Sequence, residues 1–415
     1  MFESYYPYLA LLLVEGFGPG EIFELLRGSA ASPAELFQEL QAEKGRRGLS
    51  AELGKPIGDI PWDKFETQLG LIETSGAGVV CIADPNYPAY LREISPPPPV
   101  LFFRGRLSAL HRRGVALVGT RKPSPQGSAF SRALARDLSE LGVMVVSGLA
   151  RGIDSAAHQG SLEGPGPAVG VIGTGIDVVY PPENRALTAE VAAAGCVVTE
   201  LLMGFGPRPF TFPQRNRLIS ALARIIIVIE AGPRSGALIT ARWAIEQGRE
   251  VGAVPGFPGD FRSRGVNRLL KTGAVLIESY KDVLRAVPLL QDFFQLVGGG
   301  KDSAGLGGNG VVTGAGSAGP GSDAVGPGSA AAGRTARRDG PVEPLWGEDR
   351  VNALGTEAGE VFTALSAAPI APDELALSLG RSISTVQSAL LDLEMRGLAE
   401  RDLSGCYYRR AAQNP

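Results

Sequence analysis

The residues best suited to chemistry lie in a basic, aromatic stretch from Met203 to Arg224 that contains no acidic residue. Its cations and rings are interleaved: Arg208, Arg215, Arg217 and Arg224 alternate with Phe205, Phe210 and Phe212. Guanidinium groups bind phosphates, and aromatic faces stack on unpaired bases at about 1–3 kcal/mol per base. The combination indicates a nucleic-acid or nucleotide site. The alternative is that the phenylalanines belong to the core and the arginines to a solvated face.

A second acid-free window runs from Ile94 to Arg136 and includes the cations Arg104, Arg106, Arg112, Arg113, Arg121 and Lys122. In a chain whose formal net charge is −3, such windows mean that charge is segregated. If both windows face one surface, they form a positive groove that can hold a polyanion. This expectation requires Arg121 and Arg215 to lie on the same side of the molecule.

Two glycine-containing loops could hold phosphate at the start of a helix. One begins Gly119-Thr120-Arg121-Lys122 and places backbone N–H groups, a hydroxyl and two cations before a helix. The other, 232–240, places Ser235 and Gly236 at a helix start and is a second possible phosphate cradle. The alternative for each is an ordinary turn.

A third loop, 147–158, carries Ser147, Gly148 and Arg151, and its glycines allow a close approach of backbone to ligand. Asp154 can cap the following helix, and His158 on that helix is more often a packing residue than a base. A triad of Ser147, His158 and Asp154 can be drawn, but the spacing contains no nucleophile elbow. The segment 173–175 lacks the third glycine of a dinucleotide fingerprint.

Composition bounds the class of protein. The chain has 415 residues, enough for two or three domains, with 44% hydrophobic and 20% charged residues and a pI of about 5.7. Its three cysteines form no CxxC pair, which excludes a disulfide framework and a cysteine zinc site. The apolar run near the N-terminus is short and follows an acid, so we expect no signal peptide. No apolar run approaches the ~20 residues of a membrane span, and we expect a cytoplasmic protein without a membrane partner.

The elements that must position these loops alternate in type over residues 77–290. Short β-branched runs such as VALVG, VMVVSG and RIIIVIEA alternate with helical segments such as SAFSRALARDLSELG. This rhythm predicts an α/β fold with a Rossmann-like, doubly wound, mostly parallel sheet. Strands that are apolar throughout, such as IIIVI, are typical of sheets covered on both faces.

Three further regions flank this domain. Residues 1–70 have apolar residues at helical spacing, and the turn around Gly16 and Gly18 resembles a helix-hairpin-helix, whose amides can hold a DNA phosphate. An ordinary turn between helices explains it at least as well. Residues 298–345 are rich in Gly, Ala, Ser and Pro and predict a flexible linker. Residues 356–411 predict a winged helix-turn-helix domain, with Ser382 as the N-cap of its third helix.

The segments VGTRKPSPQG, SGLARGIDSAAHQGSL, GTGIDVVYPPEN, FPQRNRLISALA and EAGPRSGALITARWAIEQGREVGAVPG resemble the DNA-processing protein A family, also called Smf, over about residues 80–290. The resemblance implies a homodimer that binds and protects single-stranded DNA and loads the RecA recombinase on it during natural transformation. By motif position it implies a DNA pocket at Gly119, Thr120, Arg121, Ser147, Gly148, Arg215, Asn216 and Arg217. The composition of the loops predicts that Lys122, Arg151, Ser235 and Gly236 also contact DNA. The long linker and the two prolines after Arg121 depart from the family pattern.

These observations predict a DNA-binding protein rather than an enzyme, with no cofactor and no metal. The alternative is a nucleotide-hydrolysing enzyme of the lysine-decarboxylase-like phosphoribohydrolase group, which would require a PGGxGT-type loop and a nearby catalytic Glu. The comparable loop here reads GPRSGALIT and lacks the paired glycines. A transcription factor acting through the winged helix ranks lower, because the third helix of that domain carries few cations.

Overall fold

The computed structural model describes residues 3–28, 31–54, 56–112, 114–288, 356–366, 368, 370–395, 398–401 and 406–409. The predicted linker, 298–345, lies outside these residues. Within the described ranges, none of the helices is long and apolar enough to cross a bilayer. The same ranges contain no cluster of three or more His, Cys, Asp or Glu side chains arranged to hold a metal ion.

A sheet of nine strands forms the centre of the molecule, in the spatial order β1-β2-β6-β5-β4-β3-β7-β8-β9. The strands are β1 Gly78–Cys81, β2 Val100–Gly105, β3 Gly114–Val118, β4 Met144–Ser147, β5 Ala168–Val171, β6 Cys196–Thr199, β7 Ile225–Val228, β8 Glu250–Ala253 and β9 Val275–Leu276. All pairs from β6 to β9 are parallel, while β1 and β2 extend one edge as antiparallel strands. The predicted mostly parallel α/β sheet is confirmed. The antiparallel extension is an addition that the sequence pattern did not indicate.

Thirteen α-helices accompany the sheet in the part described up to residue 288, together with the short 3-10 helices Leu107–His111, Pro182–Asn184 and Phe261–Ser263. The α-helices are α1 Tyr6–Leu12, α2 Pro19–Gly28, α3 Pro33–Gln41, α4 Glu43–Leu53, α5 Trp62–Ser75, α6 Ala89–Arg92, α7 Pro125–Glu140, α8 Ile153–Ser161, α9 Arg185–Ala194, α10 Thr211–Ala221, α11 Gly236–Glu246, α12 Arg264–Lys271 and α13 Tyr280–Ala286. Helices α10, α11 and α12 pack on one face of the central strands, and α7, α8 and α13 pack on the other. Burial on both faces explains why β3 and β7 are apolar at every position.

The strand order reverses at β3. From β3 the chain winds outward through β4, β5 and β6 on one side and then returns to add β7, β8 and β9 on the other. Val115 of β3 lies opposite Val145 of β4 and Ile225 of β7, so the three strands end at nearly the same level. Such a switch point leaves a crevice at the carboxyl ends of the strands, where open α/β sheets bind ligands.

The N-terminal helices share a hydrophobic core with the sheet. Leu9, Leu36 and Phe65 from these helices belong to the same buried cluster as Val100 and Phe102 of β2. Within the turn between α1 and α2, Gly16 has a φ of +76° and the amide of Gly18 donates to Glu21 Oε2 over 3.0 Å. The Glu21 carboxylate therefore accepts the hydrogen bond that this amide would donate to a phosphate in a helix-hairpin-helix. This geometry fits an ordinary turn.

The C-terminal residues form a separate small domain. Helices α14 Thr356–Ala364, α15 Pro372–Leu379 and α16 Ile383–Met395 pack around one cluster, with the hairpin strands β10 Ala399–Arg401 and β11 Tyr407–Arg409 beside them. Ser382 Oγ accepts from the amide of Thr385 over 3.1 Å, as an N-cap does. The predicted winged helix fold is confirmed.

Candidate nucleic-acid interface

A pocket opens at the carboxyl edge of the sheet, beside the switch point. Loops after β3, β4 and β5 and the start of α10 contribute its walls, which are formed by Arg121, Gly148, Ala150, Arg151, Gly173, Tyr180, Pro181 and Phe212. Arg121 belongs to the acid-free window 94–136 and Phe212 to the acid-free window 203–224. The fold therefore brings the two windows together at one rim.

An exposed cation and two rings dominate the pocket. The guanidinium carbon of the exposed Arg121 lies 5.3 Å from the centroid of the Phe212 ring, within cation–π range. The rings of Phe212 and Tyr180 are 5.5 Å apart and tilted by 43°. A phosphate can reach Arg121 while a flat base contacts these rings, so the arrangement suits a nucleotide unit of a flexible strand.

Arg151 adds a second exposed cation, but it has an intramolecular partner. Its Nε donates to Glu183 Oε1 at the rim of the pocket. This hydrogen bond lowers the pKa of Glu183 and raises that of Arg151. Because both side chains are about half exposed, the pair contributes little to stability, and a phosphate can compete for Arg151.

Arg215 lies beneath the pocket rather than in it. Its side chain is buried, with only 5% of the residue exposed, and Nη1 donates to the carbonyl of Val171 at the end of β5. Burial, opposed by the nearby Asp154 and aided by the positive charge of Arg121, lowers the pKa of Arg215 to about 10. Asp154 is also buried, and burial raises its pKa, against the nearby positive charge of Arg215. Arg121 and Arg215 thus lie on the same side of the molecule, in different environments.

The loop after β4 is shaped to fit over this buried charge. The amide of Gly148 donates to Asp154 Oδ2 over 3.1 Å, and a Cβ atom at Gly148 would lie 2.3 Å from Nη1 of Arg215. Leu149, with a φ of +53°, adopts a left-handed conformation that costs energy for a residue with a branched side chain. The chain accepts this strain where Gly148 lines the pocket.

The loop after β3 presents Arg121 but does not leave the start of α7 open to an anion. The amide of Ser124 donates to Glu230 Oε2 over 2.9 Å, and the Ser124 hydroxyl also contacts this carboxylate. The hydroxyl of Thr120 accepts from the amide of Lys122 over 3.2 Å. The expected phosphate position at this helix N-terminus is therefore occupied by Glu230, which follows β7.

The other candidate residues in the loops after β3 and β4 differ in whether they are exposed to solvent and whether they line the pocket. Gly119 packs against Ile153, and Lys122 is exposed but is not among the residues that line the pocket. Ser147 is fully buried, and its hydroxyl donates to the carbonyl of Leu117 over 2.6 Å. Ser147 thus joins the ends of β3 and β4 and does not face solvent.

The structure separates Arg217 from Arg215. Residues two apart on a helix point about 200° away from each other, so Arg217 faces the opposite side of α10. There it is buried, forms an ion pair with Glu200 and donates to the carbonyl of Pro96 over 2.7 Å. Burial raises the pKa of Glu200, against the charge of Arg217. The position of Arg217 is that of a packed ion pair.

Asn216 and the second candidate cradle lie between α10 and α11. Asn216 Nδ2 donates to the carbonyl of Gly236 over 3.3 Å, which ties the two helices together. Ser235 is the N-cap of α11 and accepts from the amide of Ala237 over 3.3 Å. Ser235 and Gly236 are partly exposed, but neither lines the pocket around Arg121.

The residues of the possible triad do not assemble into one. The Ser147 hydroxyl donates to a backbone carbonyl, and neither ring nitrogen of His158 has a hydrogen-bond partner among the described residues. Burial lowers the pKa of His158 to about 3, so its ring is neutral at physiological pH. His158 is a packing residue in this structure.

Three residues that shape the site were missed at the level of sequence: Tyr180, Glu183 and Glu230. Tyr180 and Glu183 follow β5, in a segment that reads as a plain loop because it is rich in proline and does not enter a helix directly. An aromatic residue in a loop after a predicted strand was the available signal for Tyr180. Glu230 contacts a loop 106 residues away, and no local pattern indicates such a contact.

Comparison with known proteins places the chain among DNA-processing proteins. A family model described as "DNA recombination-mediator protein A" matches residues 78–288, and one described as "DprA winged helix domain" matches residues 349–403. Protein Smf of Synechocystis sp. is 36% identical over 337 residues, which cover 79% of this chain and 79% of that protein. DNA processing protein DprA of Streptococcus pneumoniae is 44% identical over 203 residues, which cover 49% of this chain and 72% of the relative. The X-ray structure of DNA processing protein A from Streptococcus pneumoniae is similar with a TM-score of 0.59 at 34% identity, covering 68% of this chain and 98% of that one.

Proposed function

Because the chain belongs to the DNA-processing protein A family, we propose that its pocket binds single-stranded DNA and that it performs no bond-breaking chemistry. The observation that carries the proposal is the exposed guanidinium of Arg121 over the ring of Phe212, with Tyr180 beside it. Cations and rings at one rim hold the backbone and the unpaired bases of a flexible strand. A duplex keeps its bases stacked inside, so it gains only the charge contacts.

Among the twelve candidate residues, the proposal assigns direct contact to those that line the pocket: Arg121, Gly148 and Arg151. Lys122 and the segment Ser235–Gly236 extend the track on either side. Gly119, Thr120, Ser147, Arg215 and Asn216 support these contacts from beneath the pocket, while Arg217 stabilises α10 from its opposite side. Ser147 and His158 do not form a nucleophile–base pair, so the triad considered from the sequence does not support the enzyme alternative.

The proposal extends to the cellular role that the family resemblance implies. The bound strand is incoming DNA during natural transformation, a second copy of the chain extends the track, and the RecA recombinase is loaded on the protected strand. Domain boundaries are proposed at 1–70, 77–290, 298–345 and 356–411. Incoming DNA can have any sequence, so this role requires tight binding that does not depend on sequence. Phosphate and stacking contacts have this property.

The test is a titration of labelled single-stranded and double-stranded oligonucleotides at two salt concentrations. We expect tighter binding of the single strand, and we expect Arg121→Glu to weaken it by at least about tenfold, since one charge contact is replaced by repulsion. Lys281→Glu is a matched control, because Lys281 is exposed in the first turn of α13, where an acid is tolerated.

Equal binding by wild type and Arg121→Glu would refute the assignment of the pocket. The enzyme alternative is tested on the same preparation by incubation with nucleoside monophosphates. Release of free base at a rate that depends on this pocket would replace the binding proposal with a hydrolase.

A further inference from the structure

The C-terminal domain touches the DNA-binding domain next to the pocket. Gln214 Nε2 donates to Ser388 Oγ of α16 over 2.8 Å, and Arg242 Nη1 of α11 donates to Glu394 Oε1 of α16. Gln214 lies two residues after Phe212 and directly precedes Arg215 on α10. Helix α16 therefore lies across α10 and α11 at the border of the proposed DNA track.

The negative charge of Glu394 is only partly compensated by its ion pair with Arg242. The side chain of Glu394 is only 14% exposed, and its second oxygen, Oε2, is buried without a hydrogen-bond partner. A buried carboxylate with one unpaired oxygen costs free energy that a single ion pair does not fully return. The contact is consequently easy to open, and an anion that satisfies Arg242 without burying Glu394 can replace it.

The surface that α16 covers has the chemistry of a phosphate site. Arg242 keeps 39% of its side chain exposed even with Glu394 in place, and Gln214 offers an amide donor at the other contact, with Ser388, six residues before Glu394 on α16. A partly exposed guanidinium forms the charge-assisted contacts that a DNA phosphate accepts. Glu394 then stands where a phosphate oxygen would be.

We propose that Arg242 forms a second phosphate-binding position of the DNA track, with Gln214 as a further donor along the same strand, and that Glu394 occupies the Arg242 position when the C-terminal domain is docked. The proposal rests on the proposed function of the pocket. It makes the winged helix an internal competitor for single-stranded DNA. DNA that extends beyond the pocket displaces α16.

The experiment measures single-stranded DNA affinity of the full-length chain and of Glu394→Gln. Removal of the competing charge should raise affinity by about fivefold or more, because a larger fraction of the protein is in the open state. The matched control is Glu374→Gln, which removes one acid from an exposed position on α15 of the same domain. Ser388→Trp, which places a bulky ring at the other contact, should give the same gain as Glu394→Gln.

A second substitution, Arg242→Gln, decides whether the uncovered site takes phosphate. It should have little effect in the wild-type background, where Glu394 occupies Arg242, and it should remove the gain in the Glu394→Gln background. Affinity of Glu394→Gln and Ser388→Trp equal to that of Glu374→Gln overturns the proposal, as does a gain that persists without Arg242. Failure of every variant, wild type included, to bind single-stranded DNA would instead refute the proposed function of the pocket.

Discussion

Arg215 belongs to a motif that predicts DNA contact, but its side chain is buried and does not face the pocket. Arg121 and Arg215 both come from acid-free windows, yet Arg121 is exposed over Phe212 while Arg215 is buried beneath Gly148. A buried guanidinium next to Asp154 cannot reach a phosphate without leaving its acceptor at Val171. Its charge acts on the site by balancing Asp154 and supporting the loop.

This difference predicts two distinct effects on salt dependence. Arg121→Gln should reduce the slope of log affinity against log salt by about 0.7, the value for one phosphate contact to a single strand, with unchanged thermal stability. Arg215→Met should weaken binding but leave that slope at its wild-type value. It should also destabilise the fold by roughly 3–5 kcal/mol, because Asp154 loses the nearby charge that compensates its burial.

Binding isotherms at four or five salt concentrations, together with denaturant unfolding, measure both quantities. Equal losses of slope in the two variants would show that Arg215 touches phosphate directly and that the burial seen here does not persist in the complex.

At the scale of elements, Glu230 links β7 to the start of α7. Its carboxylate accepts from the Ser124 amide over 2.9 Å, and Ser124 Oγ in turn accepts from the Gly127 amide over 2.9 Å. An acid near a helix N-terminus stabilises the helix by up to about 2 kcal/mol when the site is partly buried. The helix dipole of α7 is therefore used for folding rather than for ligand binding.

Glu230→Gln tests this assignment because it keeps the shape and removes the charge. The free energy of unfolding should fall by about 1–2 kcal/mol, while affinity for single-stranded DNA should be unchanged or slightly higher, since a negative charge that contacts the Arg121 loop is lost. Glu163→Gln is the control: it breaks a half-exposed pair with Arg132, which should change stability by less than about 1 kcal/mol. A loss of DNA binding without a loss of stability in Glu230→Gln would contradict this account.

Elements were predictable where their signal is local. The apolar runs of β3 and β7 and the serine caps at Ser382 and Ser235 are encoded within a few residues, and the structure places strands, helices and caps there. A local sequence pattern does not predict an element whose formation depends on a contact with a distant part of the chain. The antiparallel edge formed by β1 and β2 depends on the pairing of β2 with β6, which comes much later in the chain.

The same limit applies to the site. Residue types identified Arg121, Gly148 and Arg151 as candidates, because cations and glycines after strands are local features. Whether a cation faces solvent depends on its angle around the helix and on partners far away in sequence. Arg217 illustrates this, since Glu200 and Pro96 receive it on the side of α10 away from Arg215.

At the scale of the whole molecule, the two flanking domains relate to the sheet in opposite ways. The N-terminal helices continue the hydrophobic core of the sheet, and Gln68 joins them to Met203 through hydrogen bonds of 2.9 and 3.2 Å in both directions. The winged helix domain has a hydrophobic cluster of its own, and the polar contacts Gln214–Ser388 and Arg242–Glu394 join it to the sheet domain.

Removal of the C-terminal domain should therefore affect the stability of the sheet domain much less than removal of the N-terminal helices. A chain that ends at residue 288 should fold, melt cooperatively and bind single-stranded DNA through the Arg121 pocket, because its core is complete. A chain that starts at residue 76 should lose cooperative melting and bind a hydrophobic dye, because apolar side chains of β2 and β6 such as Phe102 and Val197 lose their cover. Calorimetry and dye fluorescence of the two truncations measure this difference. Cooperative melting of the chain that lacks the N-terminal helices would show that the sheet is stable without them and that the shared core contributes little.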